Sequence, residues 1–101
     1  MTTELENYQE SVMKAFFNKE GKLKSIPSQK KKKLIVLECL VRQLEENTSY
    51  SEAEINEFIK TYHEDFCTIR REFILNRYMD REGGFYTKRD ESLWVKWQEL
   101  K

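Results

Sequence analysis

Two short amphipathic stretches joined by a two-residue turn, then a Gly-Gly pair set among aromatic residues, predict a mainly α fold with a small β-hairpin. Helix, turn, helix and hairpin in that order describe a winged helix-turn-helix, here with additional helices at both chain ends. Size sets the organisation: 101 residues suffice for one domain and fall short of two, so 1–101 is expected to fold as a single domain. It divides into an N-terminal helix within 1–20, a winged core over 21–88 and a C-terminal helix within 89–101.

The N-terminal helix rests on Leu5, Tyr8, Val12, Ala15 and Phe16, which recur at helical spacing. Asn18 to Gly21 ends it, and Gly21 suits the left-handed turn that follows a helix. Pro27 disfavours helix at Ile26, which leaves Ser28 as N-cap of a central helix running to about Leu44. Its stripe is Leu34, Leu37, Val41 and Leu44, widened by Leu40. Residues 45–50 read as a loop. Ser51 and Glu54 form a capping box for the next helix, whose inner face is Ile55, Phe58, Ile59 and Tyr62. His63-Glu64 is the turn, and Asp65 caps a helix with Phe66, Ile69 and Phe73 inside. On a helical wheel Thr68, Arg71 and Leu75 point outward and Arg70 lies on a flank. Tyr78 to Lys88 folds as two strands about Gly83-Gly84. Asp90 opens a last short helix carrying Leu93, Trp94, Trp97 and Leu100.

Eighteen basic and eighteen acidic residues cancel, which argues against a general polyanion binder. The charge is nevertheless uneven: residues 21–33 hold six lysines and no acid. Lysines 30–33 fall in the first turns of a helix, where the macrodipole disfavours cations, so local helix electrostatics does not account for them. No apolar run approaches the roughly 20 residues that cross a bilayer. The start Met1-Thr2-Thr3-Glu4 lacks the pattern of a signal peptide, and a soluble cytoplasmic protein is expected. Cys39 and Cys67 are too few for a disulfide scaffold and read as reduced, partly buried thiols.

No constellation recommends catalysis, so no enzymatic activity is expected. His63 with Glu64 and Asp65 lacks a recognisable metal-ligand spacing, and Gly83-Gly84 lacks the strand-to-helix setting of a nucleotide fingerprint. No cofactor, metal or small-molecule ligand is evident. Basic side chains carry the remaining signal. An arginine fork can read guanine O6 and N7, and lysines can hold phosphates.

In the order in which they occur, several stretches resemble one bacterial family, the DUF2087 domain. They are Gly21-Lys22-Leu23-Lys24-Ser25-Ile26-Pro27, the basic run with Leu34-Ile35-Val36-Leu37, Tyr50-Ser51-Glu52-Ala53-Glu54-Ile55-Asn56, His63-Glu64-Asp65, and Ile69-Arg70-Arg71-Glu72. Met79-Asp80-Arg81 and the Gly pair before Tyr86 complete the likeness, over roughly residues 16–88. The resemblance implies no settled activity. Its members stand alone or attached to helix-turn-helix regulators, which implies a transcription-linked role. Two departures are visible. Arg77 stands where the family usually has Gly, so that Asn76 is expected to take the left-handed turn. Tyr86-Thr87-Lys88 lacks the family's tryptophan.

The expected function is therefore DNA binding or a transcription-associated regulatory role. Thr68, Arg70 and Arg71 would face the major groove of double-stranded DNA, and Lys31, Lys32, Arg81 and Lys88 would hold phosphates. A homodimer through the terminal helices is a further expectation, with Trp94 and Trp97 at the seam. The alternative is a protein-interaction or dimerisation module that keeps the winged fold without DNA contacts; zero net charge and outward Leu75 favour it.

Overall fold

The computed structural model describes residues 3–100; Met1, Thr2 and Lys101, at the ends of the two expected terminal helices, lie outside the described residues. Four α-helices and a three-stranded antiparallel sheet follow one another as α1 (Glu4–Phe16), α2 (Lys30–Val41), β1 (Ser49–Ser51), α3 (Glu52–Lys60), α4 (Phe66–Leu75), β2 (Met79–Glu82) and β3 (Phe85–Lys88). Two single 3₁₀ turns, Glu91–Leu93 and Trp97–Glu99, close the chain.

α2 is the centre of the core. Leu34, Ile35, Val36, Leu37, Leu40 and Val41 have no exposed surface, so the helix is apolar on nearly every side rather than along one stripe, the pattern of a helix enclosed by its neighbours. It begins later than expected. Gln29 rather than Ser28 occupies the cap position and makes no side-chain cap bond, and the helix stops at Val41, with Leu44 buried in the turn beyond. α1 lies against α2 through Val12, with Tyr8, Met13 and Phe16 half-buried. After Phe17 the Asn18 side chain accepts from the Glu20 and Lys22 amides at 2.9 and 3.0 Å. Gly21 sits at φ +80°, and the chain doubles back to bury Leu23.

The α3–α4 unit follows its local chemistry closely. Ser51 Oγ accepts from the Glu54 amide at 3.1 Å while Glu54 accepts from the Ser51 amide at 2.8 Å, a complete capping box. Asp65 accepts from the Thr68 amide and caps α4, and His63 Nδ1 accepts from the Asp65 amide at 3.0 Å. At the far end Asn76 keeps an ordinary φ and Arg77 takes the left-handed turn, at φ +64°. The reason is a Schellman closure: Tyr78 N–H donates to Phe73 and Arg77 N–H to Ile74, which puts the reversed residue at 77. An L side chain there costs about 1–2 kcal/mol, and glycine gives back about half of that in unfolded-chain entropy. Arg77→Gly is therefore expected to stabilise the protein by about 0.5–1 kcal/mol in urea unfolding; an unchanged or lower midpoint would contradict the strain.

The residues between 45 and 50, expected as loop, include the first two residues of β1. It pairs antiparallel with β3, Tyr50 opposite Tyr86, so the sheet order is β1-β3-β2. Gly83 and Gly84 at φ +59° and +84° form the two-residue turn between β2 and β3.

The expected C-terminal helix is not α-helical. Asp90 does cap a turn, accepting from the Ser92 amide at 2.9 Å, but Trp94 is extended and Val95 N–H donates to Asn76 at the end of α4. That cross-tie interrupts any helix after one turn. Trp94 and Trp97 are both buried in the chain's own core, and Trp94 Nε1 donates to the Arg89 carbonyl at 3.0 Å. Arg42 at the end of α2 holds the segment from outside. It lies over the Trp94 ring, hydrogen-bonds Glu91 through both terminal nitrogens, and draws the Glu91 carboxyl below its ordinary range.

Candidate nucleic-acid interface

α4 and the β2–β3 hairpin meet along a cleft of about 330 Å³. Arg70, Arg71 and Leu75 line it from the helix, and Arg81 and Tyr86 from the hairpin. Three guanidinium groups, placed eleven residues apart at the extremes, thus come to one place because the hairpin folds back beside the helix that precedes it.

The three arginines differ in freedom. Arg71 is exposed and forms no ion pair or side-chain hydrogen bond among the described residues. Arg70 is half-buried and anchored: Nη1 donates to Asn56 Oδ1, and Nε lies 3.9 Å from Glu52 Oε1. Arg81 is exposed, 3.8 Å from the same Glu52 oxygen and 5.8 Å from the Tyr86 ring centroid. Tyr86 O–H donates to that oxygen as well, at 3.1 Å. Burial, and then this hydrogen bond, push the Tyr86 phenol above its ordinary value, so the group stays a neutral donor.

Glu52 therefore organises the cleft, and the sequence reading assigned it no role there. It sits at the first position of α3, where a carboxylate is explained by the helix dipole alone. Asn56, one turn on, was missed as well. Its partner Arg70 is fourteen residues away, and nothing in the spacing links them.

The other expected contacts lie elsewhere. Thr68 is half-buried on α4 and does not line the cleft. Lys31 lies over the Tyr8 ring at 5.1 Å and lines a separate hollow with Gln29, Lys30 and Leu100. Lys32 is half-buried in the first turn of α2, away from the cleft lining, and Lys33 pairs with Glu72 at 3.3 Å. Lys88 is committed inside the protein: its ammonium donates to the Leu44 carbonyl at 3.0 Å, tying β3 to the turn after α2. Arg89 faces Asp80 at 3.4 Å. The arginines are brought together; the lysines are not. Cys67, expected partly buried, is exposed on the cleft wall, while Cys39 is half-buried. No group of three or more His, Cys, Asp or Glu side chains among the described residues is placed to hold a metal ion.

α2, β1, α3, α4 and the hairpin all fall within the stretch 22–88, which matches a family described as an uncharacterized protein conserved in bacteria (DUF2087). The chain belongs to this family. α1 and the C-terminal turns lie outside the matched stretch. No curated protein and no solved structure matches the chain.

Proposed function

We propose that this chain is a DNA-binding, transcription-associated protein of the winged helix-turn-helix type, acting in the cytoplasm without enzymatic activity. α4 is the recognition helix and β2–β3 the wing. The convergence of Arg70, Arg71 and Arg81 on the cleft between these two elements carries the reading. The order helix, strand, helix, helix, hairpin with sheet order β1-β3-β2 supports it, because it sets one helix face beside one ribbon, as major-groove readers require. Arg71 faces a base edge in this arrangement, Thr68 lies beside it on the helix, Arg81 meets the flanking phosphates, and Arg70 is a positioning residue. Lys31 and Lys32 meet phosphate only where a duplex extends past the helix toward α2, and Lys88 contributes through the sheet it secures.

Glu52 opposes this activity, since its carboxylate neutralises part of the arginine cluster. Removing a unit charge about 4 Å from a phosphate-binding cation relieves about 1 kcal/mol in a water-like medium. Glu52→Gln is thus expected to tighten binding of a labelled random-sequence duplex about fivefold in a low-salt anisotropy titration. Unchanged or weaker binding would count against a duplex in the cleft.

A second reading has its own observation. Leu75 is 65% exposed on the cleft wall beside Arg71, an apolar side chain suited to a protein partner. Pairing of two copies through the chain ends would use Leu5 and Leu93, since the tryptophans are buried. Light scattering across concentrations tests it: a constant monomer mass that Leu93→Asp leaves unmoved excludes that seam.

A further inference from the structure

Another hollow, of about 470 Å³, opens where the end of α1 and the turn after it lie over α2 and the turn that follows α3. Met13, Phe17, Cys39 and Tyr62 line it, each half-buried. Lys14 and Lys19 stand exposed at its edge, no acidic residue lines it, and neither lysine is in an ion pair among the described residues. Its size falls within the range of small-molecule sites, roughly 300–1,000 Å³. Met13, Lys14, Phe17 and Lys19 precede the family stretch and Cys39 and Tyr62 fall inside it, so the site lies where the first helix packs on the family domain.

Apolar walls gain by covering, at about 25 cal/mol per Å² removed from water. Two cations at the edge, outside any ion pair among the described residues and with no acid in the lining, select a ligand with one negative head. A neutral apolar molecule leaves the lysines unused, and a polyanion leaves the walls uncovered. We propose that this hollow binds a small amphipathic carboxylate, a medium-chain fatty acid being the simplest example. The site is separate from the arginine cleft, and the proposal stands whether or not the cleft binds DNA.

The two cysteines make the test internal. Cys39 lines the hollow and Cys67 does not. Burial raises the Cys39 pKa, so alkylation by iodoacetamide is followed at mildly alkaline pH, with both sites read by mass spectrometry. Decanoate below its micellar concentration is expected to slow Cys39 labelling and leave Cys67 unchanged, and to shift the Met13 methyl resonance in a parallel NMR titration. The double variant Lys14→Glu/Lys19→Glu, altered only at exposed positions, is expected to raise the half-saturating decanoate concentration about tenfold by reversing the edge charge. Its response to decan-1-ol should stay at the wild-type level. An unmoved Met13 resonance, equal slowing of both cysteines, or a double variant that takes decanoate as well as the wild type would each overturn the proposal.

Discussion

Arg71→Glu is expected to weaken duplex binding by about a hundredfold, with the fold intact. A bidentate arginine–base contact contributes about 1–3 kcal/mol, and setting a carboxylate in its place adds repulsion of about 1 kcal/mol. Together these span about 30-fold to 1,000-fold in affinity. The structure makes the substitution clean. Arg71 is exposed and unpaired among the described residues, so removing it orphans no buried group. Urea unfolding of the variant should match that of the wild type, and anisotropy with a labelled duplex at low salt gives the affinity. Two neighbours sharpen the reading. Arg70→Ala should lose stability as well as affinity, because it strips Asn56 of its partner. Lys88→Met should lower stability, with any loss of affinity following the loosened sheet rather than a lost phosphate contact, because that ammonium is held at the Leu44 carbonyl. Wild-type affinity in Arg71→Glu would remove α4 as the recognition helix.

Trp97→Ala is expected to cost about 3–5 kcal/mol, the usual range for deleting a buried aromatic ring. That is a large part of the roughly 5–15 kcal/mol by which domains are stable at all. Trp97 is 1% exposed, lies against α2, and sits 6.1 Å from the Tyr8 ring centroid, so it joins α1, α2 and the last turn in one contact. Its indole N–H is buried without a hydrogen-bond partner among the described residues. Trp97→Phe removes that unsatisfied donor while keeping most of the ring, and should cost far less than the alanine change. Urea midpoints at constant slope give both values. A loss under about 1 kcal/mol for the alanine variant would mean that the C-terminal segment is an appendage rather than part of the core.

Where local chemistry decides the backbone, the sequence is a good guide. The Ser51–Glu54 capping box, the Asp65 cap, the reversal at Gly21 and the Gly83-Gly84 turn all form as their residues imply. The outward direction of Arg71 followed from helical geometry alone. What escaped depends on distant partners. β1 is three residues long, too short for alternation to register, and exists because β3 pairs with it thirty-six residues later. Lys88 reads as a surface base until the Leu44 carbonyl is seen beneath it. Glu52 reads as an ordinary helix start until the hairpin lays Arg81 and Tyr86 upon it. The terminal segment misled for the same reason: the Val95 amide pairs with the distant Asn76 carbonyl and leaves Trp94 extended between two short turns, which no local spacing reveals. Among the site residues, Arg70, Arg71 and Arg81 were legible because arginine on a predicted helix flank or hairpin needs no partner to be noticed. Their approach to one another was expected from a hairpin beside the helix; the Glu52 carboxylate set between them was not.

The most direct test maps where a duplex touches the protein. Backbone amide shifts of the isotope-labelled chain, followed as a short duplex is added at low salt, are expected to move in a patch over Cys67–Leu75 of α4 and Arg81–Tyr86 of the hairpin, and to return as salt is raised. Lysines 30–33 should move less than that patch. Shifts confined to the lysine run, or none at any duplex concentration, would contradict α4 and its hairpin as the DNA-binding face.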